Sequence, residues 1–142
     1  MMKRVAEMKA RPYPVNIAVV DNEAALKRFC KRKGMPYIDP DGGYAVTISM
    51  ESETAFWVLM VFPENMQDDE DVCPASVIAH ECMHAVQNTF EYAGERKPSH
   101  EAQAYLLDSF VKFCMKSLGY KTVKDVKEEK QKIGFHIPEP EY

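Results

Sequence analysis

The run from Pro74 to Phe90 contains no further proline and no glycine, and within it IAHECMHAVQ (78–87) carries His80 and His84 four positions apart. A helix is the conformation that suits both facts. At about 100° per residue the two imidazoles fall within about 40° of each other on adjacent turns, so both can reach one ion. Opposite them the same spacing predicts an apolar stripe of Ala75, Ile78, Ala79, Cys82, Ala85 and Val86. That stripe must pack on a core, which places Cys82 on the core side. Glu81 falls beside the histidines.

The remaining sequence supplies elements for that helix to pack on. VNIAVV (15–20) reads as a short β-branched strand, and EAALKRFCKRK (23–33) reads as a helix ending at Gly34. GMPYIDPDGG is dense in loop residues. After it, YAVTISM (44–50) and AFWVLMVF (55–62) are separated only by ESET, which predicts an antiparallel hairpin. The acidic loop PENMQDDEDVC approaches a helix whose first turn accepts Pro74. Gly94 and Pro98 end that helix, and Ser99 can cap the next, which stops before Gly119. A charged helix over 123–132 precedes the tail GFHIPEPEY. We therefore expect an α+β fold, with one domain over residues 1–142 and a small mixed sheet beneath the helix that carries the histidines.

Composition narrows the partners. The chain has 142 residues, is 46% hydrophobic and carries a formal charge of −4, so it lacks the broad basic field expected of a nucleic-acid binder. KRFCKRKG (27–34) is a local basic cluster that reads as a solvated helix end. No apolar run has signal-peptide or membrane-span length, so the expectation is a cytoplasmic protein with no membrane partner. Cys30, Cys73, Cys82 and Cys114 are widely spaced and form no CxxC pair, which points to reduced, mostly buried thiols.

Two histidines on one helix face need a third ligand before they make a metal centre. SHEAQAYLLD lies shortly downstream and places Glu101 in the first turn of the following helix, where a short connection can return it to the open side of the pair. Its immediate neighbour His100 is the competing ligand. Two histidines with one carboxylate, and no cysteine placed to join them, suit an open zinc site better than a closed structural one.

HECMH followed by EAQAYLLDSF resembles the gluzincin arrangement of zincin metallopeptidases, and is most similar to the ImmA/IrrE-like group and to small phage and bacterial metallopeptidases. Glu101, Ala102, Tyr105 and Asp108 match that group's glutamate helix over roughly thirty residues. Cys82 and Met83 stand where the group has a small residue or leucine, and no helix-turn-helix segment is visible. Peptide deformylases also carry His-Glu-Cys-x-His, but neither RFCKR nor DVCPA resembles their upstream cysteine segment.

The resemblance implies one Zn²⁺ held by His80, His84 and Glu101, with Glu81 as general base in the hydrolysis of a protein or peptide substrate. Tyr105 and His136 are candidate stabilisers of the developing oxyanion, with packing as the alternative role of a tyrosine one turn after Glu101. AFWVLMVF, closest in sequence to the histidine helix, is expected to border the cleft and receive substrate as an added strand, with Trp57 in the core. The alternative from another class is a catalytically silent, zincin-shaped zinc-binding protein that regulates by contact.

Overall fold

The computed structural model describes residues 1–40 and 44–134. His136 lies outside the described residues. The strands are β1 (Ala6–Lys9), β2 (Asn16–Val20), β3 (Val46–Glu51) and β4 (Phe56–Val61), and the helices are α1 (Glu23–Lys33), α2 (Pro74–Ala93), α3 (His100–Ser117) and α4 (Val123–Lys132). The fold is α+β, with a mixed four-stranded sheet in the order β1-β2-β4-β3. β2 and β4 run parallel at its centre, and β1 and β3 pair antiparallel on the two edges.

Alternation along the central strands divides the core between two faces. Ile17, Val19, Val58 and Met60 point to one side, where they pack with Ile78, Cys82, Ala85, Val86 and Phe90 of α2 and with Leu106, Phe110 and Cys114 of α3. Ala18, Val20, Trp57 and Leu59 point to the other side and meet Leu26, Phe29 and Cys30 of α1. The result is three layers: α1, then the sheet, then α2 with α3. Each fully buried Ile, Leu or Phe in these layers contributes about 1.5–3 kcal/mol relative to exposure.

Punctuation residues act where the sequence puts them. Gly34 and Gly94 close α1 and α2 in the left-handed region, at φ 69° and 75°, which glycine adopts without steric cost. Pro74 begins α2, and the Ser99 hydroxyl accepts the Ala102 N–H at 3.1 Å to cap α3. Lys31, Arg32 and Lys33 of the basic cluster occupy the last turn of α1, and Lys33 pairs with Glu7 of β1 at 3.0 Å. Three cysteines are buried and Cys73 is exposed, all as free thiols. Among the described residues, no helix is long and apolar enough to cross a membrane.

Three details differ from the expectations. β1 is an additional strand in a segment to which the sequence patterns assigned no element. Ala75 and Ala79 are exposed, because the sheet covers a narrower sector of α2 than the full apolar stripe; Thr89 and Phe90 extend the buried face instead. The third concerns the strand at the rim. β4 is paired on both sides, by β2 and by β3, so it has no free edge to offer. The edge on that side of the sheet belongs to β3.

Candidate metal centre

His80 and His84 stand on the exposed face of α2, one turn apart. Their Nε2 atoms approach to 3.2 Å, with ring planes at 78°. Two nitrogens each about 2.05 Å from a tetrahedral zinc stand about 3.3 Å apart, so the pair already has the bite of two ligands to one ion. The same distance also suits one Nε2–H donating to the other Nε2, which requires different tautomers on the two rings.

Glu81 has a different environment from its neighbours. It is buried, at 5% exposure, between α2 and β3. The Thr47 hydroxyl of β3 lies 3.1 Å from its carboxylate Oε1 and 3.1 Å from its backbone carbonyl. A buried carboxylate needs such a partner, because leaving it unpaired costs several kcal/mol of lost hydration. Thr47 escapes sequence reasoning, since a threonine in a strand is ordinary β-propensity. Its meaning appears only once β3 lies against α2.

A cleft of about 290 Å³ opens beside these groups, lined by Tyr44, Ala45, Ser76, Val77, His80 and Glu81. Tyr44, at the start of the hairpin, is a second residue that no sequence pattern singles out. It donates to Asp69 at 3.2 Å, and burial together with the Asp69 carboxylate raises its hydroxyl pKa above the usual phenol value. A larger cleft of about 520 Å³ lies at the α2–α3 corner near Gln87, Glu91, Arg96 and Gln103. It contains none of the three motif side chains, so the smaller cleft is the one with chemistry beside it.

Glu101 and His100 both lie exposed in the first turn of α3. Among the described residues, no group of three or more His, Cys, Asp or Glu side chains is gathered where it could hold one ion. Glu101 therefore is not assembled with the histidine pair. Tyr105 is 63% exposed and is absent from the lining of the cleft beside Glu81. The donors fit zinc in kind, two imidazoles and an available carboxylate, and Cys82 is excluded because it faces the core at 0% exposure.

Behind the histidines, Cys82, Cys114 and Met60 form a buried sulfur trio. The Cys82 thiol lies 3.5 Å from Cys114 Sγ and 3.9 Å from Met60 Sδ. The contact with Cys82, followed by burial, pushes the Cys114 thiol far above the usual range, so it stays protonated. These thiols pack the face of α2 opposite the two histidines.

Compared with protein-family models, curated proteins and solved structures, the chain matches none.

Proposed function

We propose that the protein is a zincin-like, zinc-dependent metallopeptidase of the gluzincin kind. The observation that carries this reading is the 3.2 Å convergence of the His80 and His84 Nε2 atoms beside the buried Glu81 carboxylate. His80 and His84 would hold the ion from α2, and Glu101 would complete the set from α3. Ordering the exposed Glu101 side chain costs about 1–2 kcal/mol of rotamer entropy, small against the total for a zinc site. Zinc held there would supply a water of lowered pKa, towards ~7, and Lewis acidity towards the scissile carbonyl.

The chain's own groups do the rest. Glu81 accepts a proton from the attacking water and delivers it to the departing amine. Edge strand β3, which follows directly on Tyr44 and Ala45 of the cleft lining, has its outer side unpaired within the sheet, and an extended peptide could add there as a further strand. Recognition through backbone pairing suits a protein or peptide substrate read with little side-chain code. Tyr44, at the mouth of the cleft, is better placed than the exposed Tyr105 to meet that peptide.

Glu81→Gln tests the reading. The variant retains size and hydrogen-bonding shape but loses the base, so it should keep zinc while peptide cleavage falls by at least ~10²-fold. The assay is mass spectrometry of peptide mixtures incubated with zinc-loaded wild type and variant. Equal cleavage by both forms would remove Glu81 from the reaction. Zinc binding with no cleavage by wild type would instead support the silent regulatory protein.

A further inference from the structure

We infer that Thr47 is a positioning residue that holds the Glu81 carboxylate in its acting place and keeps it from becoming a ligand itself. The inference rests on the reading of His80 and His84 as metal ligands. Its observation is separate: one hydroxyl on β3 lies 3.1 Å from both the side-chain Oε1 and the main-chain carbonyl of Glu81. That contact ties the carboxylate back to its own turn of helix. Since a hydroxyl has one proton for two acceptors, Thr47 donates to them in turn or shares the bond between them.

The reason such a tether is needed lies in helix geometry. Glu81 precedes His84 by three positions, which puts the two side chains about 60° apart around the helix axis. A glutamate has enough rotatable bonds to cross that angle, and carboxylates are good zinc ligands. An untethered Glu81 would therefore compete for the position needed by water. With Oε1 engaged by Thr47, Oε2 is the oxygen left to take a proton.

Thr47 also belongs to the strand along which a substrate would add. β3 pairs with β4 on one side, Thr47 opposite Met60, and its other side is the sheet edge. The same strand thus carries the docking edge and the hydroxyl that sets the base, so the position of the base is fixed relative to the peptide backbone.

Cobalt(II) substitution tests this without any substrate, because four-coordinate cobalt absorbs visible light several-fold more strongly than five- or six-coordinate cobalt. Wild type, Thr47→Val, Thr47→Ser and the double variant Thr47→Val with Glu81→Gln are each loaded with cobalt alone. Thr47→Val preserves the β-branched shape and removes only the hydroxyl. It should bind cobalt with wild-type stoichiometry but with a several-fold weaker visible band, as Glu81 enters through both carboxylate oxygens in place of the water and raises the coordination number from four to five. Thr47→Ser should restore the band, and so should the double variant, which has no carboxylate to enter. A Thr47→Val spectrum identical to wild type, with cobalt bound in both, would overturn the inference and leave the metal reading intact. Failure of wild type to bind cobalt or zinc would overturn both. Circular dichroism of the metal-free variants separates these results from loss of fold.

Discussion

His80→Ala should separate metal-linked stability from fold stability, because the proposed ligands and the residues that dock the helix lie on opposite faces of α2. His80 and His84 are exposed, while the residues that dock the helix, such as Ile78, Cys82 and Ala85, are at 0% exposure. An exposed substitution away from packing changes stability by no more than about 0.5 kcal/mol. Alanine is also the better helix former by about half a kcal/mol. Metal-free His80→Ala should therefore melt at the wild-type temperature or slightly above it. Zinc changes the comparison. At free zinc 100-fold above its Kd, binding to the folded state alone stabilises wild type by about 2.7 kcal/mol. For a chain of this length that is a rise of about 8–11 °C, taking about 3–4 °C per kcal/mol. Differential scanning calorimetry in matched chelated and zinc-buffered samples reads both quantities. No zinc-dependent shift in wild type, or an equal shift in His80→Ala, would refute the assignment of the pair.

The other predictions concern the neighbouring elements. Glu101→Ala should weaken zinc binding by more than about 10-fold, the low end of what losing even an outer-shell partner costs, while His100→Ala should leave it near wild type; competition against a chromophoric chelator checks both. Phe110 is at 0% exposure between α3 and the sheet, so Phe110→Ala should cost about 3–5 kcal/mol, measured by urea unfolding. α4 buries no side chain and starts with a capping box in which Thr122 and Asp125 bond each other's backbone N–H groups. Thr122→Ala should therefore speed amide exchange in α4 and leave the global transition unchanged. The bonds from Thr122 lower the Asp125 pKa below its ordinary 3.8, so the capping contribution is fully present above that value and is lost as pH falls through the folded pKa. Amide exchange followed from pH 6 down to about pH 2, corrected for intrinsic rates, reads this as a loss of protection confined to α4.

How much of this was legible in the sequence depends on whether the information was local. The ends of α1, α2 and α3 were, because Gly34, Gly94, Pro74 and Ser99 act through backbone geometry within a few residues. The β3–β4 hairpin was legible for the same reason. β1 was not, since AEMK is short and lacks β-branched residues, and it is held by pairing with β2 and by the Glu7 contact to α1. Strand order was not legible either, and the expectation that AFWVLMVF borders the cleft assumed that neighbours in sequence are neighbours at the rim. Parallel pairing of β2 with β4 puts that strand inside and moves β3 to the edge. The histidine pair followed from a four-residue spacing, whereas Thr47 and Tyr44 gain meaning from contacts 34 and 25 positions away.

The three environments around α2 account for the order of residues in HECMH. His80 and His84, the proposed ligands, face water, where an imidazole would give up little hydration in meeting an ion. The residue after the first histidine turns towards β3, and burial there makes Glu81 dependent on Thr47 for a partner. The next residue turns fully inward, so it must be apolar and small, and Cys82 satisfies this as a compact hydrophobe against Cys114 and Met60. A cysteine is therefore compatible with the inward position where the group that the motif resembles has a small residue or leucine. Met83, by contrast, is 37% exposed, which leaves that position with little packing constraint. Cys82 and Met83 thus stand where packing on α2 accepts them, one as a compact inward hydrophobe and the other at a position with little contact.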